Sequence, residues 1–233
     1  MRVAVAAAGP AAPVPTCPKW TVQDLVRHLG RVHQWAGRCL LTEPGAESPR
    51  PDEPPSDWDE LLRWSREQCG TLVDALLERG PDAPAWVFIT QEPQNAGWWA
   101  RRQAHETAIH RLDAEHAAAA ADQPDSVPTL VFDPELAADG IDEALTILIP
   151  RQLDRAPATV PGTALLHAAD AGRAWLVQVS PNEPLKIDTS HPGMDADATV
   201  VGTADAVYRA IWKRPSSAVI GGDPAVLAAL KMP

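Results

Sequence analysis

The stretch RRQAHETAIHRLDAEH, residues 101–116, decides how the first half of the chain folds. Successive residues turn by about 100° on an α-helix. Glu106, His110 and Asp113 are spaced by four and three, so they share one face beside an apolar stripe. A carboxylate, an imidazole and a second carboxylate therefore lie in a row beside the apolar stripe of the helix. In a helical bundle, such side chains converge on a metal ion.

A zinc-protease motif is excluded in the same stretch. That motif, HExxH, needs two histidines four residues apart on one helical face. His105 and His110 are five apart, so their directions diverge. His105 points toward the apolar stripe, and we expect it to be a packed residue and not a ligand.

Glu106 and His110 supply only two ligands, whereas a catalytic zinc site has three protein ligands and one open position. The third ligand is expected from another helix, where His28 and His33 are the candidates. On the helical wheel His33 lies nearer the middle of the apolar stripe and His28 lies on its flank, and spacing alone does not choose between them. A Glu and a His four apart are also common as a simple hydrogen-bonded pair.

Working outward, hydrophobic periodicity predicts an all-helical domain at 1–122 and an α+β domain at 128–233. Asp122 to Pro128 is interpreted as the boundary, and residues 1–19 as a loose lead-in or a helix remnant. In the first domain we predict helices at 21–41, 57–79 and 97–121. In the second domain we predict helices at 133–149 and 204–213 and a last one opening at Asp223-Pro224, with strands at 163–168, 174–179, 185–188, 198–201 and 217–220.

Composition excludes some partners. The 233 residues carry a net charge of −11, which argues against nucleic acid and anionic membranes as ligands. The three cysteines form no CxxC pair, which favours a reducing, cytoplasmic location and predicts structural roles for them. Cys17 precedes a helix N-terminus, which tends to lower a thiol pKa, but no histidine is near it in sequence.

Two blocks resemble a known family. VPTCPKWTVQDLVRHLGRVHQW, residues 14–35, and RRQAHETAIHRLDAE, residues 101–115, resemble the mycothiol-dependent maleylpyruvate isomerase family. That family belongs to the DinB-like superfamily of four-helix bundles that hold a divalent metal, usually zinc. The resemblance implies that His28, Glu106 and His110 are the metal ligands, and it alone prefers His28 to His33.

The second half resembles the same family. FDPELAADGIDEAL, residues 132–145, and ATVVGTADAVYRAIWKRP, residues 198–215, are similar to its C-terminal domain, which is similar to sterol-carrier-type α+β folds. Relatives begin with an amphipathic helix before the VPTCP block, and only some 13 unpatterned residues precede that block here. The first of four helices is therefore expected to be short or missing. We expect an upstream extension to raise the melting temperature if this start is truncated.

The resemblance also implies a chemistry. Mycothiol, bound through its thiolate at an open position on zinc, would add to a small electrophile, giving cis-trans isomerisation or thiol addition. Asp113 would orient a ligand imidazole or be a solvated helix residue. Arg101 and Arg102 would hold a carboxylate or be an ordinary surface pair, and Arg214 would bring a cation to the cleft.

Other functions fit the same residues. One is a DinB-like thiol S-transferase acting on xenobiotics, and another is a non-catalytic metal-binding module. A structural module without metal is a third. We expect a monomer or homodimer that takes a small thiol and a small electrophile as partners.

Overall fold

The chain divides into a helical unit and a sheet-containing unit, Met1–Leu130 and Val131–Pro233. The structure is a computed structural model, and it describes residues 1–122, 130–189 and 193–230. This confirms an α+β class with a helical N-terminal domain and a sheet-containing C-terminal domain. Most of the predicted boundary, from residue 123 onward, lies outside the described residues.

The described residues of the first unit form four helices: α1 (Arg2–Ala8), α2 (Val22–Leu40), α3 (Trp58–Arg79) and α4 (Ala96–Asp122). The last three agree with the predicted helices to within one residue at every end. α2 begins where the sequence places it, because Thr21 and Asp24 form a reciprocal capping box. The Thr21 hydroxyl accepts from the Asp24 backbone at 3.2 Å, and the Asp24 carboxylate accepts from the Thr21 backbone at 3.0 Å. Such a cap fixes the first turn of the helix.

Residues 2–8 form a short helix and not a loose lead-in. Ala4 and Val5 of α1 are buried, and they share a core cluster with residues of α2, α3 and α4. The core-facing residues of that cluster include Leu25, Leu61 and Ala114. The first helix of the bundle is therefore short and not missing, which were the two alternatives that the sequence left open.

Gly30 allows α2 and α3 to pack closely. A Cβ atom built on Gly30 would overlap the indole ring of Trp64 and crowd Ser65, both on α3. Any larger residue at this position requires a shift of the Trp64 ring or of α3. Gly30 stands two residues after His28, about 200° around the helix, so the close contact with α3 lies on the other side of α2 from the candidate ligand.

The second unit is built around a five-stranded sheet of order β3-β2-β1-β4-β5. The helices α5 (Pro134–Glu143) and α6 (Ile149–Leu153), joined by a π-helical turn at Ala144–Leu148, precede it. The β1 and β4 pairing is parallel, and the other pairings are antiparallel. The remaining elements are β1 (Gly162–Ala168), β2 (Arg173–Val179), β3 (Lys186–Thr189), β4 (Ala198–Gly202), α7 (Ala204–Ile211), β5 (Val219–Gly222) and α8 (Pro224–Ala229).

Every predicted strand corresponds to an observed one, with shifts of one or two residues at the ends. The predicted helix at 133–149 is interrupted by the π-helical turn and continues to Leu153. Asp133 and Asp223 cap their helices, each followed by proline at the first position. Among the described residues, no helix has the length and apolar content needed to span a bilayer.

Candidate metal centre

Three potential ligands converge between α2 and α4. Nε2 of His28 lies 3.0 Å from Oε1 of Glu106, and Nε2 of His110 lies 3.4 Å from the same oxygen. One ligand atom of each residue lies within 4.8 Å of the others. The helical face read from the sequence thus brings Glu106 and His110 together, and α2 adds His28. Two imidazole nitrogens and one carboxylate oxygen aimed at a common point suit a divalent metal ion.

Arg102 controls how Glu106 faces the two histidines. Its guanidinium donates to Oε2 of Glu106 at 2.8 Å, four residues along the same helix. Burial alone would raise the pKa of Glu106, but the hydrogen bonds from His110 and His28 and the charge of Arg102 hold that pKa well below its ordinary value. Glu106 is therefore a carboxylate, with Oε2 engaged by Arg102 and Oε1 left to the imidazoles.

Asp113 forms a hydrogen bond with Nδ1 of His110, the ring nitrogen that does not contact Glu106. Its Oδ2 lies 2.8 Å from Nδ1 of His110, and the Asp113 side chain is fully buried. Two residues of the loop before α2 also donate to it: the hydroxyl of Thr16 at 2.6 Å and the thiol of Cys17 at 3.3 Å. A carboxylate that accepts from Nδ1 leaves Nε2 of the same ring with its lone pair for a metal ion.

The same contacts set the charge of His110. Burial alone would lower its pKa, but hydrogen bonds with Asp113, Cys17 and Glu106 outweigh burial and raise the pKa well above the ordinary value. Without a metal ion, His110 is therefore protonated near neutral pH. A metal ion must displace that proton, so metal binding competes with acid.

A second group of potential ligands shares His110. Sγ of Cys17 and a carboxylate oxygen of Asp113 lie near it, also within 4.8 Å of one another. Of the two groups, the one containing His28 is better suited to a catalytic metal ion. The His28 side chain is 34% exposed, whereas the Asp113 side chain is 0% exposed. A catalytic metal needs a position open to ligands.

The other two histidines lie outside this group. His33 is 3% exposed, and its Nε2 lies 3.0 Å from the hydroxyl of Thr107. Burial lowers the pKa of His33 to about 4. His105 is 1% exposed, as a packed residue should be. His33 therefore stays neutral at physiological pH, and both histidines belong to the core of the bundle.

The remaining predicted residues are placed as follows. Arg101 is half-buried on α4, one position from the buried Arg102. Arg214 belongs to the second unit, where its guanidinium donates to the carbonyl of Trp212 at 2.7 Å. Trp98 and Trp99 are buried and pack edge to face with each other and with Phe88, so they form core and do not line the open cleft.

A cleft of about 740 Å³ opens beside His28. Trp20 covers the histidines on this side, with ring centroids 4.8 Å from His28 and 5.9 Å from His110. Lys19, in a left-handed backbone conformation with φ 76°, turns the chain into Trp20. The residues that line the cleft include Lys19, Trp20, Arg27, His28, Arg31 and Trp35.

The residues that sequence reasoning missed come from the loop before α2. Thr16 and Cys17 reach Asp113 across almost a hundred positions of chain, and Trp20 reaches His110. Periodicity gives no signal for such contacts. The sequence draws attention to the CPKW turn through the family resemblance and through the thiol of Cys17, and neither predicts a contact with Asp113.

These features define a class: a helical bundle that gathers His, Glu and His beside an open cleft, followed by an α+β domain. Residues 1–115 match the mycothiol maleylpyruvate isomerase N-terminal domain, and residues 135–229 match the C-terminal domain of that family. The chain belongs to the mycothiol maleylpyruvate isomerase family, as its sequence blocks indicated. No curated protein matches the chain.

Proposed function

We propose that this protein is a metal-dependent enzyme of the maleylpyruvate isomerase type that uses mycothiol as its thiol. The observation that carries the proposal is the convergence of His28, Glu106 and His110 on one point beside an open cleft. Membership of the family supports mycothiol as the cosubstrate. The donor set of two imidazoles and one carboxylate supports zinc as the metal.

Such an ion, when bound, would accept a thiol sulfur at its open position and lower the thiol pKa, so that a thiolate forms near neutral pH. His28, Glu106 and His110 would hold it. Asp113 keeps the Nδ1 proton of His110 in place, which turns Nε2 toward the site. Arg102 restrains Glu106 so that Oε1 faces the two imidazoles.

The reaction proposed for the site is reversible thiol addition. The thiolate sulfur bonds to one carbon of an activated double bond, and the electron pair moves into the activating group. The former double bond is then single and free to rotate. Expulsion of the same sulfur restores the double bond in the other geometry and returns the thiol, so no oxidant or reductant is needed.

A thiol S-transferase with the same site is the second candidate, because the first bond-forming step is shared and fold does not fix the electrophile. The two differ in the fate of the thiol. An isomerase leaves the mycothiol concentration unchanged while substrate is converted, whereas a transferase consumes one thiol for each product.

The experiment that tests the proposal measures metal content and a thiol-dependent melting temperature. We expect the purified chain to contain equimolar zinc. Millimolar mycothiol should raise the melting temperature, because a ligand at about 100 times its Kd stabilises the folded state by about 2.7 kcal/mol.

Variants separate the alternatives. His110→Ala should lose both the zinc and the mycothiol shift while it keeps the helical circular dichroism of the parent. Zinc with no mycothiol shift in the parent chain would point to a non-catalytic metal-binding module. Unchanged zinc in His110→Ala would contradict the ligand assignment.

A further inference from the structure

The loop before α2, residues 9–21, is folded tightly by bonds within its own backbone. The N–H of Cys17 donates to the carbonyl of Val14 at 3.0 Å, and the N–H of Trp20 donates to the carbonyl of Cys17 at 3.0 Å. Each is the bond that closes a β-turn. The N–H of Val14 also donates to the carbonyl of Trp20 at 2.9 Å. These bonds fix the backbone that carries Thr16 and Cys17.

The side chains of Thr16 and Cys17 both reach the carboxylate of Asp113 on α4. The Thr16 hydroxyl donates to Oδ1 at 2.6 Å, and the Cys17 thiol donates to Oδ2 at 3.3 Å. The Asp113 side chain is fully buried, so solvent does not reach either oxygen. Each carboxylate oxygen thus has a donor of its own, and rotation of the group would break a buried hydrogen bond.

The orientation of this carboxylate determines the orientation of His110. Oδ2 of Asp113 is the atom that lies 2.8 Å from Nδ1 of His110. If the carboxylate turned, this acceptor would leave the plane of the imidazole and the ring would be free to turn with it. Nε2 of His110, which lies 3.4 Å from Oε1 of Glu106, would then leave the ligand group. The donors behind Asp113 therefore matter for the direction of Nε2.

The same loop contacts the ring of His110 directly. Trp20 stacks on this ring with centroids 5.9 Å apart and planes 25° apart. The loop therefore restrains His110 in two ways, through the carboxylate that bonds to Nδ1 and through the indole against the ring face. Residues that orient a metal-ligating histidine commonly affect metal affinity almost as much as the ligands do.

We infer that Thr16 and Cys17 are positioning residues for the candidate metal centre: they orient the carboxylate of Asp113, and that carboxylate orients His110. The inference rests on the proposed function, since it concerns the same ligand group. It gives Cys17 a role through its S–H donor and not through the nucleophilicity of its sulfur. Serine should therefore replace either residue.

The first test measures the zinc affinity of the full chain by competition with a coloured chelator. Thr16→Val removes the hydroxyl at nearly constant shape, and we expect it to weaken zinc binding about tenfold or more. Thr16→Ser, which keeps the hydroxyl, should retain the affinity of the parent. Cys17→Ala should weaken binding by a smaller factor, because a thiol is a weak donor. Cys17→Ser should retain it.

The matched control is Thr42→Val. It removes another half-buried threonine hydroxyl of the same unit, one that donates to the carbonyl of Arg38 at 2.8 Å. Its zinc affinity should equal that of the parent. Urea unfolding of each metal-free variant shows that the chain is folded under the conditions of the zinc measurement. Cys17→Ala provides the answer if Thr16→Val does not fold.

The second test needs no metal ion. In the isotope-labelled, metal-free chain, the Nδ1–H proton of His110 should give a downfield, slowly exchanging resonance, because it is bonded to a buried carboxylate. Its absence from His110→Ala assigns it. Thr16→Val should speed its exchange with solvent, whereas Thr42→Val should not.

The two tests separate the inference from the proposed function. If the parent binds zinc and Thr16→Val and Cys17→Ala bind it equally well, the positioning role is overturned and the metal enzyme stands. If the parent binds no zinc, the metal enzyme is rejected and the exchange rate decides the inference. Faster exchange in Thr16→Val then supports the positioning of His110, and unchanged exchange overturns it.

Discussion

His28 and His33 lie five residues apart on α2 and meet different surroundings. His33 sits in the middle of the apolar stripe and is 3% exposed, whereas the His28 side chain is 34% exposed at the edge of a cleft. Helical periodicity reports burial, so it could identify His33 as a core residue. A ligand that must face both a metal ion and solvent stands on the flank of the stripe instead. The position of a histidine on the apolar stripe therefore does not decide which of the two is the ligand of an open site.

The first prediction separates these two histidines. His28→Ala should abolish zinc binding, because one of three donors is removed. His33→Leu should keep the full zinc content, because its ring contacts Thr107 and not the ligand group. Metal analysis of both purified variants checks this. Loss of zinc in His33→Leu with zinc retained in His28→Ala would reverse the ligand assignment.

The second prediction concerns pH. The pKa of His33 is about 4 in the fold and about 6.5 in an unfolded chain. Between these values the unfolded chain binds a proton that the folded chain does not, so the contribution of His33 to stability is complete above about pH 6.5. It is lost as the pH falls toward 4, by about 3 kcal/mol in all.

Urea unfolding of the chelated protein at pH 7 and pH 4.5 measures this loss. The free energy of unfolding of His33→Leu should fall by about 2–3 kcal/mol less than that of the parent across this interval. The hydroxyl of Thr107 can bond to its own helix in the variant. Parallel pH curves for the two proteins would contradict the burial of a neutral His33.

At the scale of elements, the contact between α2 and α3 explains the glycine at position 30. The sequence predicted both helices and their limits, since caps and apolar periods are local signals. The reason for Gly30 could not be read from it, because the crowding atoms belong to Trp64, 34 positions later. The loop that carries Thr16 and Cys17 shows the same limit, since its partner Asp113 is distant in sequence. Long-range contacts leave no period in a sequence.

The third prediction follows from that contact. Gly30→Ala should lower the free energy of unfolding by about 1–3 kcal/mol, because the added methyl overlaps the ring of Trp64. Gly37→Ala is the matched control on the same helix, where nothing lies within 4 Å of an added Cβ. It should stabilise by up to about 1 kcal/mol through helix propensity. Thermal or urea unfolding of both variants measures the effects, and equal effects would contradict the close packing.

At the scale of the molecule, the candidate metal centre and the cleft both lie in the first unit. Every member of the candidate ligand group, and every cleft residue named above, belongs to Met1–Leu130. Arg214, which the family resemblance offered as a catalytic cation, belongs to the other unit. The sequence could predict two units of different class, since the helical period of the first half gives way to alternating short strands.

The fourth prediction tests this division. A fragment of residues 1–130 should bind equimolar zinc, because it contains all the donors together with Arg102 and Asp113 behind them. Metal analysis and circular dichroism of the fragment check this. If Arg214 contributes to turnover, full-length Arg214→Gln should lose activity with its zinc unchanged. A folded fragment without zinc would show that the second unit is needed for metal binding.

The indole of Trp20 has a further consequence. It lies against the rings of both His28 and His110, so an ion held between those rings would sit next to a natural fluorophore. Loading with a coloured ion such as Co²⁺ should quench Trp20 by energy transfer, whereas colourless Zn²⁺ should mainly shift its emission. A Trp20→Phe chain subtracts the signal of the other tryptophans. The fluorescence of Trp20 should therefore report whether the metal site is filled, and the measurement needs no substrate.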